Sequence, residues 1–227
     1  MATDFFRKKI GKIIAGFTAV FFTAFCFVYA LFLNQAKVVE MRVGFFYLVR
    51  EETNVEVGVE FVKLEGGAGY LVRQDGKDYV VLSVYLKEKT ALAVQAGMPQ
   101  GKAVQLLYAG VDTLWFKGAK QKKNAAVYVG ALKTFREYMG VVDATIALLE
   151  DGATQESIKR LLLPLGRQFA CLSREYAEIY PDFSSVCLRY AKRVEACCAS
   201  VLFVGDLRYV LCEMTEDYLA LAGKFSI

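Results

Sequence analysis

Apolar and polar positions follow different rules in successive parts of the chain. Ile13 to Leu33 reads IIAGFTAVFFTAFCFVYALFL, 21 residues without a charge. A bilayer core needs about 20 apolar residues for one helical crossing, and backbone groups in lipid must pair within their own segment. The run therefore predicts a transmembrane helix over 13–33. Val28-Tyr29-Ala30 offers the rival reading of a signal-peptide cleavage site, but the apolar run continues through Leu31-Phe32-Leu33, beyond the usual secretory core of about 7–15 residues.

From Arg42 to Ala109 the pattern is one of short β-branched and aromatic runs separated by glycine-ended stretches. RVGFFYLVR (Arg42–Arg50) predicts a strand. Asn54 or Thr53 can cap a short helix carrying Val55, Val59, Val62 and Leu64, which Gly66-Gly67 ends. Gly69–Arg73 predicts a second strand, Asp75-Gly76 a hairpin turn, and KDYVVLSVYL (Lys77–Leu86) a third strand. A second short helix over Lys87–Ala96 and a strand over Ala103–Ala109 complete a β-α-β-β-α-β order. Such an order builds a four-stranded antiparallel sheet with both helices on one face. By strand parity, Val80, Leu82, Val84 and Leu86 should meet those helices, and Tyr79, Val81, Ser83 and Tyr85 should face the other way. Gly66-Gly67-Ala68-Gly69 follows a helix and enters a strand, so it reads as a helix stop and tight turn. A phosphate loop precedes its helix.

The segments FFYLV, GGAGYLVRQDGKDYVVLSVY and KTALAVQAGM, spread over about residues 43–109, resemble a sporulation-related (SPOR) repeat domain. The resemblance implies this same strand order, often behind a single membrane anchor. It also implies binding to septal peptidoglycan, mainly to glycan strands stripped of stem peptides. A Gln-Val-Gly run common in the family is replaced here by Tyr47-Leu48-Val49-Arg50.

From about Gln121 the period is helical. Val127, Ala131, Phe135, Tyr138, Val142 and Ile146 form one stripe, which Asp151-Gly152 ends. Ile158, Leu162, Leu165, Phe169, Leu172, Tyr176 and Ile179 form a second, with Pro164 as a kink or an early boundary. After the turn at Tyr180-Pro181-Asp182, a stripe from Val186 to Tyr218 predicts a third long helix, with Gly205-Asp206 as a possible interruption. Short connections favour antiparallel neighbours. The fold class expected is thus α+β: an N-terminal transmembrane helix, a sheet domain over 38–110, a linker over 111–123 and an antiparallel helical bundle over 124–227, a three-helix bundle or long hairpin.

Charge refines this picture. The net charge of +4 is concentrated in residues 1–12, where Arg7, Lys8, Lys9 and Lys12 stand against Asp4; the rest is close to neutral. The positive-inside rule then places 1–12 in the cytoplasm and 34–227 outside the cell membrane. A near-neutral body argues against nucleic acid as a partner. The chain has no histidine, which excludes Ser-His-Asp and Cys-His catalysis and His-ligated zinc. No Cys-x-x-Cys occurs, so neither a metal nor a cofactor is expected. Cys171, Cys187, Cys197, Cys198 and Cys212 fall on predicted helices, as buried thiols or as a disulfide of Cys171 with Cys187 or Cys212. The carboxylate pairs Glu51-Glu52, Asp75/Asp78, Glu150-Asp151 and Glu216-Asp217 sit at turns or helix ends, where acids serve capping and solubility. No catalytic residue is assigned, and the chain reads as a non-enzyme.

Two functions remain. In the first, an open sheet face holds peptidoglycan glycan strands through Tyr47, Arg73, Tyr79, Ser83 and Tyr85. Aromatic rings and polar groups there suit the C–H faces and hydroxyl edges of sugars, while the C-terminal helices engage a protein partner of cell division or sporulation. In the second, a structural or scaffolding protein, the same unit makes only protein contacts or oligomerises, and the helical part covers the sheet.

Overall fold

The computed structural model describes residues 36–52, 54–98 and 104–225. Four strands, β1 (Lys37–Glu51), β2 (Tyr70–Gln74), β3 (Lys77–Tyr85) and β4 (Val104–Phe116), form one antiparallel sheet in the order β2-β3-β1-β4. Among the described residues six helices accompany it: α1 (Val55–Leu64), α2 (Glu88–Gly97), α3 (Ala119–Glu150), α4 (Gln155–Tyr176), α5 (Pro181–Ala199) and α6 (Val204–Gly223). The β-α-β-β-α-β order is the one read from the sequence. Asn54 caps α1 by accepting from the Val57 backbone N–H at 3.3 Å. Asp75 and Gly76 both adopt left-handed φ, 51° and 77°, as a two-residue hairpin turn requires.

The expected architecture needs correction at several points. The segment 13–33 lies outside the described residues, and among those described no helix is long and apolar enough to cross a membrane. Nor do a sheet domain and a helical bundle stand apart. The fold is α+β, and its main apolar core runs from the sheet through all of α3–α6. Residues 111–116 are strand rather than linker, pairing with 37–43 of β1, and α3 begins at Ala119. The lysines at 117, 120, 122 and 123 mask this in the sequence, whereas Val111, Leu114 and Phe116, all buried, belong to the strand. The third predicted helix is two: α5 stops at Ala199 and α6 starts at Val204. Gln155 bridges the break, accepting from the Leu202 N–H at 2.9 Å and donating to the Leu202 carbonyl at 2.8 Å. That supplies partners for backbone groups a continuous helix would have paired internally. Pro164 sits inside α4, exposed, without ending it.

Each sheet face has its own cover. On one, α1 contributes Val59 and Val62 against Val80 and Leu82, and α2 contributes Ala91 and Val94 against Leu48 and Tyr85. On the other, Val43, Phe45, Tyr47, Val49, Tyr79, Val81 and Val84 join the core shared with α3 and α6. Rings link the layers: Phe45 meets Tyr218 edge-on at 5.2 Å, and Tyr70 meets Tyr209 at 5.2 Å. A second aromatic cluster of Phe116, Tyr128, Tyr180 and Phe225 ties the end of β4 to α3, the α4–α5 turn and the segment after α6.

The Gly66–Gly69 turn is where α6 docks. Gly66 and Gly69 have φ of 79° and 59°, and Gly66 accepts from the Arg208 guanidinium at 2.7 Å. A Cβ on Gly205 would lie 2.9 Å from the Gly67 carbonyl oxygen. Backbone therefore meets backbone at this point, with no flexible side chain to give way. A methyl there should cost about 1–3 kcal/mol of overpacking, more than the roughly 1 kcal/mol that alanine gains over glycine in a helix. Gly205→Ala is thus expected to lower the urea midpoint. Gly130→Ala in α3, where a Cβ meets nothing within 4 Å, is expected to raise it.

Candidate functional site

The residues expected on one open face are distributed over three places. Tyr47 and Tyr79 are buried beneath α6 on the covered face. Arg73 lies exposed on β2, donating to Asp78 through Nε at 2.6 Å and Nη2 at 2.8 Å. Ser83 and Tyr85, 4% and 9% exposed, lie on the opposite face, between α1 and α2.

A β-bulge causes the separation. Leu48 pairs with Ser83, but the next residue, Val49, pairs with Val81. Leu82 is the extra residue, so Leu82 and Ser83 point to the same side and parity inverts beyond them. Val84 consequently joins the α3–α6 core, while Tyr85 turns toward Ala91 of α2.

Ser83 and Tyr85 instead line a groove of about 390 Å³, with Leu48 and Leu82 on its floor and Arg50 and Arg208 on its walls. Arg50 is nearly enclosed and ion-paired to Glu65 at 3.3 Å and Glu52 at 3.5 Å; its guanidinium also lies 5.5 Å from the Phe61 ring centroid. Arg208 pairs with Glu150 and donates to Gly66. Burial raises the Tyr85 phenol above its ordinary value, and Arg208 and a hydrogen bond with Ser83 partly oppose that. Each arginine here thus has a carboxylate. The groove presents hydroxyls and an apolar floor, with no opposed pair of free carboxyls of the kind glycoside hydrolysis uses. Among the described residues, no group of three or more Cys, Asp or Glu could hold a metal ion.

Under α6, the Tyr47 hydroxyl donates to Glu216 at 2.7 Å. Burial first, then this bond, holds the phenol far above its ordinary value, and the neighbouring Tyr70 is pushed up to about 12, chiefly by burial. Arg50, Arg208 and Arg136 were missed as site residues by sequence reasoning, and Glu216, expected with Asp217 at a turn or helix end, lies inside α6. Glu216 and Arg208 sit beside an apolar stripe that reads as core, and nothing in their spacing signals a polar partner on a distant strand.

No protein-family profile matches the chain, and neither curated proteins nor solved structures contain a match to it.

Two outcomes are expected. Tyr47→Phe leaves the buried side of Glu216 without its donor and should cost about 1.5–3 kcal/mol in urea unfolding, the range for a hydrogen bond to a charged group. Under native conditions Cys171, which is exposed, should react with a thiol reagent at pH 8. Cys187 and Cys212, buried free thiols, should react only on unfolding. Burial pushes Cys187 up to about 12.

Proposed function

We propose that this chain is a non-enzymatic structural protein whose β-α-β-β-α-β unit makes protein contacts. The observation that carries this reading is the covered sheet: α3 and α6 occupy the face on which glycan recognition would depend, and Tyr47 and Tyr79 are committed to the interior. A surface of another kind is available. Val57, Phe61 and Leu64 follow one another at i, i+4 and i+7 along α1 and are 64%, 48% and 86% exposed. Leu64 faces Phe203, itself 65% exposed, across a hollow of about 500 Å³. Large apolar side chains gathered in this way on an outer helix face mark contact surfaces with other proteins.

Purified peptidoglycan sacculi, intact or amidase-treated, are expected not to retain the full-length chain; retention of the folded protein on either would overturn the reading. A photo-crosslinking residue at position 64 is expected to yield adducts to protein chains in intact cells. Leu64→Glu combined with Phe203→Glu should leave the unfolding midpoint within about 0.5 kcal/mol of the parent, while abolishing adducts captured from a neighbouring exposed site. Unchanged adducts would count against this surface.

A further inference from the structure

Arg136 is a half-buried cation with no ion-paired carboxylate among the described residues. It projects from α3 to the end of the sheet, where Nη2 donates to the Leu86 carbonyl at 3.0 Å and to the Gly44 carbonyl at 3.4 Å. The guanidinium lies 4.9 Å from the Phe45 ring centroid. Among the described residues it has no ion-paired carboxylate, and its Nη1 is buried with no hydrogen-bond partner. Burial holds its pKa below the ordinary guanidinium value.

A second orphan stands beside it. Tyr218 of α6 is fully buried, and its hydroxyl also lacks a partner. Arg136 and Tyr218 line the same cavity, about 450 Å³ in volume, whose apolar wall is Met41, Val43 and Leu86. The bulge in β1, where Met41 and Arg42 together stand opposite Asp112, helps shape this wall. Arg42 has a left-handed φ of 50°, unusual for a side chain of its size. Lys87 and Lys133 also line the cavity, against one acid, Glu137. Asp143 is the other nearby carboxylate, half-buried on α3; burial raises its pKa above the ordinary carboxylate value, and Lys87 and Arg136 oppose that only in part. The lining therefore carries three cations and one anion.

Withdrawing a guanidinium from water without a carboxylate is costly even when it is partial, and carbonyl bonds and a ring face offset that cost only in part. Two residues with unpaired donors, one of them charged, line one positively charged cavity with an apolar wall, a combination that suits an oxyanion. The volume falls within the range of small-molecule sites.

We propose that this cavity binds a small amphiphilic oxyanion, its charged oxygens at Arg136 and Tyr218 and its apolar body against Met41, Val43 and Leu86. Lys87 and Lys133 supply attraction at the cavity without fixing orientation. The site is independent of the α1 surface and would stand if that surface had no partner.

Calorimetric titration of the full-length chain with hexyl phosphate, hexanoate, inorganic phosphate and hexanol tests this. One or both of the first two should bind at least tenfold more tightly than hexanol and than inorganic phosphate, and the tighter of the two identifies the head group. Arg136→Met should weaken that binding tenfold or more. Tyr218→Phe, which removes a hydroxyl with no partner in the fold, should keep the unfolding midpoint and still weaken binding several-fold. Lys133→Gln, on an exposed residue, should flatten the salt dependence. The proposal fails if no probe binds, if hexanol or inorganic phosphate binds as well as its amphiphilic counterpart, or if Tyr218→Phe folds normally and binds unchanged.

Discussion

Burial of the second sheet face beneath α3 and α6 is the constraint on which the rest of the molecule depends. Val43, Phe45, Tyr47, Val49, Tyr79, Val81 and Val84 would together form a broad apolar surface if left in water. Each large side chain removed from water there contributes about 1.5–3 kcal/mol. The long arms of β1 and β4 follow from the same need. By running past the compact sheet to Lys37 and Phe116, they carry buried residues into the helical layer and give α3 and the Phe225 segment something to pack on. The Gly67–Gly205 approach and the Arg208 bonds then fix where along the sheet α6 lies.

This arrangement leaves polar chemistry at the margins of the covered layers. Tyr47 and Glu216 satisfy each other inside the sheet–α6 interface. Arg50 and Arg208 are matched by acids along the α1–α2 groove. Arg136 differs, because what faces it from the sheet is two carbonyls and a ring rather than a carboxylate. A buried hydroxyl left unpaired on Tyr218, which lines the same cavity, makes the same point from α6.

Much of the local structure was legible in the sequence. Asp75-Gly76, Asn54 and the glycine stop after α1 act through backbone conformations that few other residues favour, so their positions announce themselves. The helical stripes were legible for a similar reason, since a 3.6-residue period is hard to produce by chance. The bulge at Leu82 was not. Val80, Val81, Leu82, Val84 and Tyr85 are all buried, so the strand has no polar side whose displacement would reveal a change of parity. Nor was the end of β4 legible, because the solvated lysines that follow it resemble a linker. The groove pairing Ser83 with Arg208 and the cavity pairing Arg136 with Tyr218 join residues far apart in the chain, and no local pattern encodes such meetings.

Tyr47 and Glu216, joined in the finished protein, are 169 positions apart. Ribosomes deliver the strands first and α6 long afterwards. Throughout that interval a nascent chain carries a greasy sheet surface whose lid has not yet been made. Such distant closure is also slow, because a large loop must be ordered before its contacts reward it. A ribosome stalled ahead of Val204 would release a chain whose apolar sheet surface has no cover from α6.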